Sequence, residues 1–143
     1  LLVTILVITA TAILTACATD SDHNKSQEGN TTNSEEETMG NSQVITAEEA
    51  YAKMQEEEGI IIVDVRTAEE YAGGHIPNAI LIPNETIKDE QPEELPDLDA
   101  TILIYCRSGN RSAQATKKLV EMGYTNLYDF GGINSWPYDI VTD

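Results

Sequence analysis

The run Ile102-Leu103-Ile104-Tyr105-Cys106-Arg107-Ser108-Gly109-Asn110-Arg111-Ser112 contains a strand, a loop and the start of a helix in eleven residues. Its first part is apolar and reads as a buried strand. A lone cysteine ends the strand, and a short polar loop with one glycine follows it. Consecutive backbone N–H groups of a tight loop above a helix N-terminus form a cradle for an anion. A cysteine at the mouth of such a cradle has a lowered pKa and carries thiolate near neutral pH. Gly109 allows a backbone turn that a side chain would obstruct. A small apolar residue behind a strand is the ordinary fate of a lone cysteine, but that reading leaves Arg-Ser-Gly-Asn-Arg unexplained.

Outward from this run, strands and helices alternate. Val44-Ile45 reads as a short strand, and Thr46 with Glu49 forms a capping-box pattern opening a helix to about Glu57, with Ala50, Tyr51 and Met54 on one face. Gly59 stops that helix. Ile60–Val65 is a continuous β-branched run, the pattern of a strand buried on both faces of a parallel sheet. Thr67 caps a short helix through Tyr71, and Gly73-Gly74 ends it. Ala79–Ile82 is a third strand, closed by Pro83. Asn84–Asp99 is acidic and proline-containing and is expected to be loop. Thr101–Tyr105 is the fourth strand. A helix starting at Arg111 or Ser112 reaches Met122 with Ala115, Leu119 and Met122 inward, capped by Gly123. Asn126–Tyr128 is a fifth strand, followed by Gly131-Gly132 and a segment in which Trp136 and Tyr138 pack over it. Such alternation predicts an α/β sandwich with a parallel sheet, with its ligand site at the carboxyl end of the strands.

Four residues separate Cys106 from Arg111, whereas tyrosine phosphatases place five between nucleophile and arginine. Together with Asp64-Val65-Arg66 and Gly74-His75-Ile76-Pro77-Asn78-Ala79, this pattern resembles single-domain rhodanese-like sulfurtransferases, which carry sulfane sulfur as a cysteine persulfide. The resemblance covers residues 43–143. It implies a three-layer α/β/α fold with a parallel five-stranded sheet, and no cofactor. It also implies a ping-pong reaction. The Cys106 thiolate takes the outer sulfur of thiosulfate or a similar small anionic donor, and the persulfide hands it to a thiol or cyanide. The implied loop is Arg107, Ser108, Gly109, Asn110, Arg111 and Ser112, with Arg107 meeting the anionic donor. Arg111 is read as a supporting group paired with an acidic residue such as Glu70 or Asp64. Ser108 and Asn110 are either loop donors or turn residues, and Ser112 bonds the loop backbone like a cap. Asp64 and Arg66 are read as a structural pair at the rim. His75 is read as fixing its loop by hydrogen bonds and not as a general base. Asn78 stands where the family often has glycine, and asparagine also tolerates left-handed backbone. Two other readings are a non-catalytic persulfide or sulfide carrier or sensor and, from a related fold, an arsenate reductase or phosphatase.

The chain has 143 residues, enough for one domain of ordinary size. Its 25 acidic residues against 8 basic give a net charge of −17, which repels nucleic acid. No cluster of His, Cys and carboxylates has metal-ligand spacing, and no Walker-type phosphate loop occurs. Leu1–Ala18 is uncharged, and Leu14-Thr15-Ala16-Cys17 resembles a bacterial lipobox. On that reading residues 1–16 are a signal peptide truncated at its start, Cys17 is lipidated, and residues 17–42 are a disordered acidic linker. The domain would then be extracytoplasmic and lipid-anchored to the bacterial cell membrane. The alternatives are an uncleaved transmembrane anchor and a Cys17–Cys106 disulfide.

Overall fold

A computed structural model describes residues 41–142. The expected signal peptide, the lipidated Cys17 and nearly all of the acidic linker lie outside the described residues. The elements run β1 (Ser42–Val44), α1 (Ala47–Glu56), β2 (Ile61–Asp64), α2 (Ala68–Ala72), β3 (Ile80–Leu81), β4 (Thr101–Cys106), α3 (Asn110–Met122) and β5 (Asn126–Gly132), followed by a 3₁₀ turn at Ile133–Ser135. All strand pairings are parallel, in the order β1-β5-β4-β2-β3. The central strand β4 is therefore flanked on both sides, as its unbroken apolar run requires.

Side-chain alternation along β4 builds the layers. Ile102, Ile104 and Cys106 pack with Ala115 and Leu119 of α3. Leu103 and Tyr105 pack with Ala50 of α1 and Tyr71 of α2 on the opposite face. The result is the expected three-layer α/β/α sandwich. Both α1 and α2 begin with complete capping boxes: Thr46 with Glu49, and Thr67 with Glu70.

Four local readings change. The first strand begins at Ser42, two residues before the expected start, because as an edge strand it buries Ser42 and leaves Val44 exposed. The third strand shrinks to Ile80-Leu81. The loop of residues 84–99 contributes to the core: Ile87 and Leu95 are buried on the α3 face, and the Tyr124 hydroxyl donates to the Leu95 carbonyl at 2.6 Å. The fifth strand extends to Gly132. Its register against β4 slips by one residue, from Ile104↔Asp129 to Cys106↔Gly132, which is a β-bulge. Gly131, with φ of +80°, occupies the bulge, and the Asp129 carboxylate accepts its N–H at 2.9 Å.

Candidate active site

Cys106 ends β4 on the α3 face and is buried. The chain then turns through Gly109, whose φ of +101° is left-handed backbone that disfavours any side chain. Helix α3 starts at Asn110, one to two residues earlier than the spacing suggested, with Gly109 as N-cap and no side chain capping it. The Gly109 N–H donates to Cys106 Sγ at 3.0 Å. Burial alone would push the thiol pKa up. Backbone N–H groups of Ser112, Ser108 and Gly109, joined by the Ser112 hydroxyl, outweigh it and hold the thiol below its ordinary value. The cradle read from the sequence is present, and it favours thiolate.

The six loop residues diverge in placement. Arg107, Ser108 and Asn110 are exposed. The Arg107 guanidinium is bonded to no other described side chain. Asn110 Oδ1 instead accepts from Gln114 Nε2 at 2.7 Å, one helical turn along α3. Arg111 leaves the sulfur and clamps Glu70 bidentately, at 2.6 and 2.8 Å. Of the two partners read from sequence, the structure selects Glu70. Ser112 lies inside α3, fully buried, and its hydroxyl is 3.8 Å from Cys106 Sγ.

Glu70 also closes the α2 capping box, so one carboxylate joins the start of α2 to the start of α3. The Arg111 hydrogen bonds bring the Glu70 pKa from 4.5 down to about 2. A carboxyl group lowered on folding contributes stability above its unfolded value and loses it as pH falls through the folded one. The contribution is therefore complete above about pH 4.5 and disappears towards about pH 2. Both side chains are about one-quarter exposed, so water screens the pair and its worth is about 1 kcal/mol. Glu70→Gln should remove that part of the acid-limb slope of stability in a denaturant titration run from pH 7 to pH 2; an unchanged slope would show that the pair contributes nothing.

Asp64 and Arg66 form the expected pair, an ion pair at 2.6 Å with both side chains buried. Asp64 is fully buried because it sits in the sheet between β3 and β4. Arg66 donates onward to the Gly74 carbonyl at 2.7 Å, and its guanidinium lies 5.6 Å from the Tyr105 ring centroid. Tyr105 Oη accepts the Ile76 N–H at 3.1 Å. This buried network holds the segment of residues 74–76 against the end of β4. His75 stacks on Tyr71 at 3.7 Å and its Nδ1 lies 3.0 Å from the Tyr71 carbonyl, while its backbone pairs with Val141. Asn78 has φ of +65°, the left-handed geometry that asparagine tolerates. Trp136 and Tyr138 form an aromatic cluster with Tyr51 of α1 and Phe130 of β5.

Two residues of the site were not singled out in the sequence. A Cβ on Gly132 would lie 2.3 Å from the Arg107 carbonyl oxygen and 2.6 Å from Ser108 Cα. Gly132 is thus the floor on which the active loop rests, although its φ of −143° is ordinary extended backbone. Its only sequence signal was the Gly131-Gly132 pair. Asp129 is the other: it is buried on β5, and its carboxylate accepts the Gly131 N–H at 2.9 Å, next to the Gly132 floor. Among the described residues, no group of three or more His, Cys, Asp or Glu side chains is placed to hold a metal ion.

Residues 46–138 match the rhodanese-like domain family. The chain is 39% identical over 71 residues to the thiosulfate sulfurtransferase PspE of Escherichia coli (strain K12), covering 50% of this chain and 68% of that protein. It is 38% identical over 93 residues to a sulfurtransferase of Allochromatium vinosum, covering 64% of this chain and 85% of the relative. Among solved structures, a rhodanese-like domain protein from Staphylococcus aureus superposes with a TM-score of 0.61 at 36% identity, covering 70% of this chain and 97% of that one. A rhodanese with anions from E. coli gives 0.54 at 34% identity, covering 59% and 99%. With Cys106 at the end of the central strand of a parallel five-stranded sheet and sulfurtransferases as its relatives, the chain belongs to the rhodanese-like family.

Proposed function

We propose that this protein moves sulfane sulfur from thiosulfate or a similar anionic donor to a thiol or cyanide through a Cys106 persulfide. The observation that carries the reading is the sulfur of Cys106 seated 3.0 Å from the Gly109 N–H, in a loop whose N–H groups favour its anion. The Cys106 thiolate attacks the outer sulfur of thiosulfate. The S–S bond of the donor breaks, its electron pair leaves with sulfite, and the negative charge moves to the outer sulfur of the new persulfide. An acceptor thiolate then attacks that outer sulfur, takes it away as its own persulfide and returns the Cys106 thiolate. One negative charge stays on the enzyme's sulfur atoms throughout, so the same N–H donors serve thiolate and persulfide.

The reading is tested by mass spectrometry of the reduced protein, resolved to the Cys106 peptide. Incubation with thiosulfate should add one sulfur to that peptide, and cyanide should remove it again. No gain in folded protein would overturn the reading. Loading without turnover would leave a persulfide carrier.

Arg107 supplies the positive charge that a dianionic donor needs on a domain carrying strong net negative charge. Arg107→Ala should raise KM for thiosulfate about tenfold, ~1.4 kcal/mol of donor binding, with kcat within about twofold. Steady-state kinetics with cyanide as acceptor decide this, and an unchanged KM would place Arg107 outside the donor's path.

A further inference from the structure

Four side chains are linked by hydrogen bonds from the loop after β3 to the loop that carries Cys106. Asn84 is buried, and its backbone N–H donates to the Val65 carbonyl at 3.1 Å. The Lys118 ammonium of α3 donates to the Asn84 carbonyl oxygen at 2.6 Å and to Asn84 Oδ1 at 3.0 Å. Asn84 Nδ2 donates to Gln114 Oε1 at 3.3 Å. Gln114 Nε2 donates in turn to Asn110 Oδ1 at 2.7 Å. Asn110, Gln114 and Lys118 stand at four-residue intervals along α3, on one face of the helix.

The lysine end dictates the direction of this chain. An ammonium group has three donors and no acceptor, so the side-chain atom of Asn84 that meets it must be the oxygen. The Asn84 amide nitrogen is then left for Gln114, and because it only donates, Gln114 must present its own oxygen. The same step repeats at Asn110. Hydrogen bonds arranged head to tail in this way polarise one another. At the end of the chain stands Asn110 Nδ2, on an exposed residue, with no described group accepting from it. Its residue adjoins Gly109, whose N–H meets the Cys106 sulfur at 3.0 Å.

We infer that Asn110 is a donor-binding residue, whose side-chain N–H groups, set in direction by Lys118 through Asn84 and Gln114, hold an oxygen of the anionic sulfur donor at the Cys106 loop. The opposite amide orientation would present Oδ1, whose lone pairs repel an oxyanion. An isolated Asn–Gln pair one turn apart forms with either orientation. Here the buried Asn84 and the donor-only lysine select one. Arg107 supplies charge to the loop, and Asn110 supplies a neutral donor of fixed direction. Lys118, Gln114 and Asn84 touch no substrate and are positioning residues.

The inference rests on the reading of the Cys106 loop as the site of an anionic donor, and its test uses sulfate, an oxyanion with no sulfur to give. A failure of sulfur loading therefore leaves it standing, whereas a failure of sulfate binding overturns it alone. Iodoacetamide labelling of the full-length chain, read at the Cys106 peptide at constant ionic strength, gives the sulfate concentration that half-protects the thiol. Asn110→Ala should raise that concentration about fivefold. Lys118→Met should raise it about threefold in the parent but less than about 1.5-fold when Asn110→Ala is also present. Loss of the lysine charge alone would act equally in both backgrounds, so equal factors overturn the relay. No protection of the parent, or an unchanged value in Asn110→Ala, overturns the contact. If the Lys118 variant does not fold, ¹⁵N NMR of the unsubstituted protein decides. The Asn110 and Gln114 side-chain amide pairs should shift together along the sulfate titration, and an Asn110 pair that stays still, or moves without Gln114, overturns the inference.

Discussion

Cys106→Ser is expected to abolish sulfur loading and turnover altogether. The thiolate is the nucleophile, and a serine hydroxyl, with no activating base paired to it, is far less ionised and less nucleophilic at neutral pH. The change is nearly isosteric, and an oxygen at this position still accepts the Gly109 N–H. The fold should therefore survive, with a melting temperature within about 8 °C of the parent, the equivalent of ~1 kcal/mol in a domain of this size. Peptide-resolved mass spectrometry after thiosulfate treatment, with circular dichroism melting of the same sample, checks both halves. Sulfur retained on the variant would mean that the transfer proceeds elsewhere on the chain.

The second large effect belongs to a residue that touches no substrate. Gly132→Ala should cut turnover by about a hundredfold, the scale of a displacement near 1 Å in a reacting geometry. The added methyl group would lie 2.3 Å from the Arg107 carbonyl oxygen, and both obstacles, Arg107 and Ser108, are backbone. Neither can rotate away, so the loop must lift from β5 and carry its N–H donors off the sulfur. Overpacking of this kind costs about 1–3 kcal/mol. The expected outcome is a lower denaturant midpoint together with a higher Cys106 alkylation midpoint. Wild-type kinetics in this variant would show that the loop has slack that its packing does not suggest.

The parts of this fold that were readable in the sequence are those specified locally. The β-branched runs of β2 and β4, the Thr46–Glu49 cap and the Cys106-to-Ser112 loop carry their instructions within a few residues. What was missed depends on distant partners. Ile87 and Leu95 follow no helical or strand period, and they are core only because the loop folds over α3. The bulge in β5 exists because Cys106 must pair with Gly132, a register no local pattern announces. The start of α3 was placed late because a helix is expected to open on a capping side chain, and this one opens on a left-handed glycine. Asp64 and Arg66 were recognised as a pair, but burial depends on strand order, and the depth at which they are buried was not visible. Arg111 was given two acidic partners, and only tertiary packing chooses Glu70, 41 residues away.

The uncapped start of α3 ties reactivity to folding. In most helices a serine, threonine or aspartate oxygen satisfies the N–H of the second or third helical residue. Here Ser112 is the third residue, and its N–H is among the groups that hold the Cys106 thiol below its ordinary value. The nucleophile accepts the N–H of Gly109, the residue that opens the helix. A thiol lowered on folding contributes stability that is complete above its ordinary value of 9.0 and fades as pH falls through the folded value. Deprotonating the sulfur thus strengthens its bond to the residue that opens α3, and alkylating it removes that bond as well as a nucleophile.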